Sequence, residues 1–463
     1  MPRLFPSLRG YRWRWLTRDA LAGVTVWAIL VPEALAYATI AGVSPVVGLY
    51  AAPVALILYA VFGSSRHLVV GPMAATAALS AAVVGDVTAG SGAHFAALTA
   101  ALAVTVGIAA LLAGLLRLGF LASFISEPVL KGFIVGLALT IIAGQLPKLF
   151  GVEGGSGDFF EKIWALIGDL GATSGLTVLV GSGSLLLILA LKRIAPIVPG
   201  SLIAVALGIA VAAAFDLEDH GVAVVGDIDT GLPSFGFPDV SLTDLGALAA
   251  GSIGVLLVAF AEGLGAAKDY AVRGHYEVDA NRELIGLGAA GLGAGLSSGM
   301  VVNGSLSKTA VNWSAGARTQ LSGVFVAPLT VITLLFLTGL FEKLPEAVLA
   351  GVVIAAVVEL VDLASLAALH NAERIRSAVA KAAGRGGVTA VVIDAETVPF
   401  IDVSAVRMLD QLAGELKARR VRLLLARDVG QVRDVLGTAD AGAELRHIHP
   451  TVREAVEAAR SGT

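Results

Sequence analysis

The chain has no cysteine in 463 residues, which excludes disulfides, thiolate catalysis and cysteine metal sites. Charge is scarce too. Only 15% of residues are Asp, Glu, Lys or Arg, and a formal net charge of -4 is too small to point to nucleic acid. Of seven histidines, His67, His94, His220 and His275 fall in predicted connections, and none forms a metal-spaced pair on a predicted span. No enzyme constellation emerges, and no cofactor or metal is implied. What fills the chain is apolar sequence: 56% hydrophobic residues and a mean hydropathy of +0.85, far beyond a soluble protein of this length. It reads as an α-helical polytopic membrane protein whose apolar runs suit a helix rising ~1.5 Å per residue across ~30 Å of hydrocarbon. The 55 glycines lie largely inside those runs, where small residues let helices approach.

Arg9, Arg12, Arg14 and Arg18 form a positive leader without a secretory cleavage pattern, and Leu4 to Trp15 reads as a segment lying at the headgroups. The first span, 20–42, carries Pro32-Glu33 at its middle. The proline frees a backbone carbonyl there, and a carboxylate at that depth is costly unless protonated or paired, so Glu33 is a functional candidate. After a second span at 46–62 comes Leu68-Val69-Val70-Gly71-Pro72-Met73-Ala74-Ala75-Thr76. Three β-prone residues, a Gly-Pro break and a short helical run predict a strand leading into a half-helix begun inside the membrane. The same grammar recurs at Met300-Val301-Val302-Asn303-Gly304-Ser305, followed by Leu306-Ser307-Lys308-Thr309. Two interrupted segments at corresponding places in two halves point to a transporter's midplane site. A lysine and hydroxyl side chains at that depth mark a place that holds an anion.

Further spans are predicted at 95–116, 128–147, 173–191 and 198–215, completing a first unit of seven. A second unit runs through 245–267, 284–299, the half-helix from Gly304, 320–340 and 346–361. Arg66, Arg117, Lys131, Lys192, Arg193, Lys268, Arg273, Arg282 and Arg318 fall on the side of the amino terminus, which the positive-inside rule makes cytoplasmic. The connection 216–244 has no Lys or Arg and carries Asp216, Glu218, Asp219, Asp227 and Asp229, so it belongs outside; Lys148 is an exception to the rule. An odd number of crossings per unit inverts the second relative to the first. The domains are therefore expected at 1–19, a cytoplasmic segment; 20–369, a transmembrane domain; and 370–463, a small cytoplasmic α/β domain. In the last, Val388 to Ile393 and Val421 to Ala426 read as strands, and Ser404 to Arg419 as a helix with Val406, Leu409, Leu412 and Leu416 on one face. Such alternation implies a partly parallel sheet.

These residues resemble the SulP, or sulfate permease, family of anion transporters, to which prestin and pendrin also belong. The resemblance rests on Val31 to Gly42 with Gly48-Leu49-Tyr50, Gly63-Ser64-Ser65-Arg66, Gly71-Pro72, Asp279 to Leu284, Ser305 to Thr309, and Thr319-Gln320-Leu321, in that order and spacing. The carboxy-terminal domain resembles a STAS domain, with Phe400 to Ala405 at that fold's Asp-x-Ser/Thr turn; a helix cap by Asp402 or Ser404 is the reading preferred to a phosphosite. The family has two units of seven spans. Here Val361 to Leu369 passes straight into His370 to Arg374, which resembles the first STAS helix, so the last two spans and the opening STAS strand are missing from the sequence. Omission of a stretch is the reading preferred to natural loss.

The resemblance implies a pocket lined by Glu33, Tyr37, Ala74, Thr76, Ser305 and Ser307, with Lys308 as a site charge and Glu262 beside it. Lys308 stands where many relatives carry arginine, and Glu33 where many carry glutamine. Two half-helix amino termini bring unpaired N–H groups and partial positive charge to an anion. An alternative role for Lys308 is counter-ion to Glu262 or Glu33. A carboxyl facing an anion site is compatible with the anion when protonated, so Glu33, or else Glu262, is expected to couple proton and anion movement. The leading expectation is secondary transport of a small anion, of the sulfate, bicarbonate, chloride or dicarboxylate class, by proton-coupled symport. Sodium-coupled bicarbonate uptake with Glu262 at the sodium is the alternative within transport. A nucleobase-cation symporter is disfavoured by Lys308 and the STAS domain, and a non-transporting scaffold signalling through that domain is the alternative from another class. The resemblance also implies a homodimer with one pathway per protomer in the plasma membrane, and leaves room for a cytoplasmic protein partner.

Overall fold

The computed structural model describes residues 4–87, 92–120, 127–155, 159–195, 198–228, 231–358, 375–384, 388–395, 403–426 and 448–461. They fall in two compact units, Met1–Val361 and Asp362–Thr463. The 369/370 boundary, the stretch where two spans are expected to be missing, Asp229, Asp402 and the Ser404 side chain lie outside what is described.

The first unit is built from α1 (Leu16–Ile40), α2 (Pro45–Phe62), strand β1 (Val69–Pro72), α3 (Ala74–Val87), α4 (Gly92–Leu115), α5 (Glu127–Phe150), α6 (Phe159–Asp169), α7 (Gly175–Ile194), α8 (Gly200–Phe215), α9 (Leu242–Arg273), α10 (Ala280–Leu296), strand β2 (Val302–Ser305), α11 (Leu306–Ser314), α12 (Leu321–Ile332) and α13 (Glu346–Val358). Among the described residues, seven helices are long and apolar enough to cross a membrane, and α3, α8 and α13 are shorter apolar helices. Both expected interruptions appear as a strand followed by a short helix. His94, expected in a connection, sits in the first turns of α4. The span expected at 320–340 is present at Leu321–Phe341, but it is not α-helical throughout: α12 gives way to a π turn at Thr333–Leu337 and a 3-10 turn at Thr338–Phe341. Helix α6 was not expected. Its apolar face, with exposed Phe160, Trp164 and Ile167, is too short to read as a crossing.

Two groups of helices follow from the packing. In one, α10 lies against α4 and α2, α1 against α2 and α12, and α9 against α3 and α4; in the other, α13 packs on α5, α7 and α8. The groups touch where α1 meets α8 and α13 and where α3 meets α5. Small residues set the closest crossings. A Cβ at Gly48 of α2 would stand 2.0 Å from the Ala34 carbonyl oxygen of α1, and one at Gly107 of α4 would stand 2.6 Å from Leu292 N of α10. The exceptional cation Lys148 pairs with Glu346, Nζ to Oε2 3.1 Å, and so ties α5 to α13.

In the second unit β3 (Ala390–Asp394), β4 (Arg422–Ala426) and β5 (Ile448–His449) form a parallel sheet in the order β3-β4-β5. A helix through 375–383 (α14), α15 (Val403–Ala418) and α16 (Val452–Ser461) accompany it. Leu409, Leu412 and Leu416 recur at helical spacing on α15 and pack with Leu423 and Leu425, which alternate along β4. Burying each such side chain contributes about 1.5–3 kcal/mol, enough to explain why this alternation specifies a small core. The side chain of Val406 is not among those described.

Candidate functional site

Strands β1 and β2 are antiparallel, with Val69 opposite Ser305, Val70 opposite Gly304, Gly71 opposite Asn303 and Pro72 opposite Val302. All eight residues are buried. A glycine and a proline are tolerated here because the ribbon has only two strands, so Pro72 has no ladder bond to lose on its outer side. By this register α3 and α11 leave from opposite ends of the ribbon, roughly 10 Å apart along the strands. Their amino ends flank the ribbon rather than abut.

Lys308, on the first turn of α11, points into that space and is 1% exposed. Its Nζ lies 2.6 Å from Glu33 Oε2, donates to the Pro72 carbonyl at 3.2 Å and stands 5.0 Å above the Tyr37 ring. The Glu33 contact is a close ion pair rather than an aligned hydrogen bond. Glu33 and Tyr37 share a face of α1 because they are four residues apart, one helical turn. Of the expected pocket residues, these three are therefore brought together with the end of β1. The pairing is the counter-ion arrangement that the sequence left as the alternative for Lys308.

The hydroxyls have local duties. Ser305 caps α11, its Oγ accepting from Lys308 N at 3.2 Å and lying 3.2 Å from Ser307 Oγ. Thr309 Oγ1 donates to the Ser305 carbonyl and accepts from Val69 N at 3.0 Å, which fastens α11 to the opposite strand. Thr76 Oγ1 donates to the Met73 carbonyl at 3.2 Å. Ala74, Thr76 and Ser305 are buried, whereas Ser307 is exposed. Glu262 does not bond Lys308: its Oε2 accepts from Asn303 Nδ2 at 3.4 Å. Asn303 is fully buried and its Oδ1 has no donor. It fits against α9 only because residue 263 is glycine, where a Cβ would stand 2.7 Å from that oxygen.

The remaining motif residues brace this centre from the amino-terminal side. Glu283, fully buried on α10, accepts from Tyr59 OH at 2.6 Å, Ser64 N at 2.7 Å, Ser64 Oγ at 2.6 Å and Ser65 N at 2.9 Å. Asp279 caps α10, and Arg282 Nε donates to the Phe62 carbonyl at 3.2 Å, satisfying an orphan at the end of α2. Gly63 to Arg66 and Asp279 to Leu284 are thus two halves of one joint. Asp19, absent from the sequence reading, accepts from Arg318 N at 2.6 Å, Thr319 N at 3.2 Å and Thr319 Oγ1 at 2.8 Å. Gln320 Nε2 donates to the Ser65 and Leu68 carbonyls at 3.0 and 2.8 Å, holding the entry to β1. A lone carboxylate at the start of the first span was the available signal for Asp19; nothing in the spacing named its partners.

In the connection before β1, His67 lies 3.1 Å through Nδ1 from Tyr276 OH, with its ring edge-on to Trp313. Burial, and then the nearby Arg66 and Arg318 charges, push its imidazole down to about 4, against a hydrogen bond with the Ala317 backbone that acts upward. Burial likewise raises the Tyr276 phenol. His67 is therefore a neutral packing and hydrogen-bonding group.

Residues 16–383 match the sulfate permease family profile, and residues 360–455 match the STAS domain. A probable sulfate transporter of Mycobacterium tuberculosis is 40% identical over 368 residues, covering 80% of this chain and 66% of that protein. Probable sulfate transporter 4.2 of Arabidopsis thaliana is 37% identical over 372 residues, covering 78% of this chain and 54% of that one. The chain thus spans two thirds or less of the length of these relatives. Among solved structures, the transmembrane domain of a cyanobacterial bicarbonate transporter superposes with a TM-score of 0.69 at 25% identity, over 76% of this chain and 90% of that one. Murine solute carrier 26 family member A9 in its inward-facing state gives 0.71 at 19% identity, over 99% and 94%, a likeness of fold alone.

Proposed function

The chain belongs to the sulfate permease family, and on that footing we propose that it is a secondary transporter of a small anion, working as a proton-coupled symporter with Glu33 as the proton carrier. The observation that carries this reading is the Glu33–Lys308 pair beside the ribbon. A buried ammonium needs a counter-charge, and in the arrangement seen Glu33 supplies it. Protonating Glu33 removes that competitor and leaves Lys308, with the amino ends of α3 and α11, to hold an incoming anion. When the anion leaves, the deprotonated carboxylate takes its place. The empty carrier then stays charge-balanced and can reorient without an anion, which is what net uptake requires and strict exchange does not. The substrate class is supported by the sulfate and bicarbonate transporters among the proteins that this chain resembles. Flux from proteoliposomes loaded with sulfate, bicarbonate, chloride or a dicarboxylate, with a proton gradient imposed or collapsed, tests it.

A second reading rests on a separate observation. Glu262 Oε2 accepts from Asn303 Nδ2 while Asn303 Oδ1 has no donor, and a carboxylate beside a free amide oxygen suits a hard monovalent cation. Sodium-driven bicarbonate uptake follows from it, and sodium dependence without pH dependence distinguishes the two. The α/β unit is read as cytoplasmic, tuning rate or assembly without lining the pathway, and the protein as a plasma-membrane homodimer. Mass measurement in detergent and in lipid, with and without that unit, tests these assignments.

A further inference from the structure

The amino-terminal segment is basic, yet it is ordered against the membrane unit. Phe5 N donates to the Val61 carbonyl at 2.9 Å, and Ser7 Oγ accepts from Gln320 N at 3.3 Å. Two 3-10 turns, Pro6–Leu8 and Trp13–Trp15, give it a fixed shape, with Tyr11 edge-on to Trp13 and Trp15. Trp13 is 82% exposed and continues into the exposed apolar face of α1 at Leu21 and Val24, which faces lipid if α1 crosses the bilayer. An indole at that level is an interfacial anchor.

Arg9, Arg14 and Arg18 are exposed and make no ion pair or side-chain hydrogen bond among the described residues. Exposed Arg12 lies over the Trp15 ring at 5.8 Å, and exposed Arg318 is fixed beside them through its backbone N–H on Asp19. The acid within this stretch, Asp19, is fully buried and already accepts three hydrogen bonds. Five exposed guanidinium groups are thus presented at this level, none of them in an ion pair among the described residues. Guanidinium forks fit phosphate oxygens, and a net-negative leaflet concentrates such groups.

We infer that this segment is a binding site for anionic phospholipid headgroups in the leaflet on the amino-terminal side. Occupancy braces the transport centre, because Gln320, whose N–H is held by Ser7, also clamps the Ser65 and Leu68 carbonyls at the entry to β1. The inference does not depend on which ion is transported.

The test uses the full chain, purified in neutral detergent and titrated with phosphatidylglycerol or phosphatidylcholine, reading retained lipid by native mass spectrometry and the unfolding midpoint by a thermal assay. The wild type is expected to retain phosphatidylglycerol about fivefold over phosphatidylcholine or more, and to gain midpoint only with the anionic lipid. The Arg9→Gln/Arg14→Gln/Arg18→Gln variant should lose that preference, and the corresponding Arg→Lys triple should keep most of it. Raising salt to about 0.5 M should collapse the wild-type preference, a test that needs no variant. A wild type without preference, a Gln triple that keeps it, or a preference unmoved by salt overturns the site.

Discussion

Glu33 Oε2 lies 2.6 Å from Lys308 Nζ, across the gap between α1 and α11, with both side chains buried. Two charges placed this way are a single electrostatic unit. Removing either one leaves the other buried and uncompensated, at a cost of about 3–5 kcal/mol, unless the survivor changes its proton count or finds another partner. The same property makes the pair responsive to an added anion or proton.

Lys308→Ala should lower the unfolding midpoint and weaken anion binding tenfold or more, since it removes the site cation and strands Glu33. Combining Glu33→Gln with Lys308→Met should recover most of the midpoint but not the affinity, because the double change leaves no buried charge. Thermal unfolding and anion titration of the purified variants check both. Wild-type binding by Lys308→Ala would take the lysine out of the site.

At the joint, Glu283→Gln keeps volume but replaces an acceptor oxygen with an NH2 group facing donors from Tyr59 or from Ser64 and Ser65. Leaving such donors unsatisfied costs about 1–3 kcal/mol. Tyr59→Phe should cost less, since it removes one donor and leaves Glu283 its other three. A lowered midpoint in that order, with the anion affinity of the folded fraction little changed, is the expected result.

His67 is held neutral, with its imidazole pushed down to about 4 against the ordinary value near 6.5. The unfolded chain therefore takes up this proton first as pH falls. The stability gained from keeping His67 neutral is complete above pH ~6.5 and is lost through the window down to about 4, on the order of 3 kcal/mol in all. Midpoints of the wild type should fall more steeply over that window than those of His67→Phe. Parallel slopes would mean that His67 is not the group responsible.

Gly48→Ala places a methyl 2.0 Å from the Ala34 carbonyl, one residue from Glu33. Backbone cannot yield as a side-chain tip does, so α1 and α2 must separate. Loss of folded yield, or a protein with a lower midpoint and weakened anion binding, is expected; Gly183→Ala on α7, where nothing lies within 4 Å and the backbone is helical, controls for changes of glycine as such.

Much of this arrangement is legible in the sequence. Hydropathy and the Gly-Pro break placed the spans and both strand-to-helix interruptions, because these signals are local. The α15 stripe of Leu409, Leu412 and Leu416 was equally plain, being a matter of period. What could not be read was partnership. Nothing in spacing says that Glu283 serves the turn at Ser64, that Asp19 caps the approach to Gln320, or that Lys148 is answered by Glu346, since these meet only when distant helices pack. Lys308 is the sharpest case. Its depth and its half-helix were apparent, but the choice between a bare site cation and a paired one depended on the rotation of α1 that brings Glu33 and Tyr37 to it. Helix α6 escaped for another reason, since an eleven-residue amphipathic run carries too little hydropathy to count as a span.

The most direct test is proton-driven accumulation by Glu33→Gln in proteoliposomes. Wild-type uptake should quicken as external pH falls and should concentrate the anion at the expense of the gradient. Glu33→Gln, which can neither compete for Lys308 as an anion nor carry a proton, should still bind and exchange anion, with flux flat in pH and no accumulation. If it accumulates anion from a proton gradient with the wild-type pH profile, Glu33 is not the proton carrier.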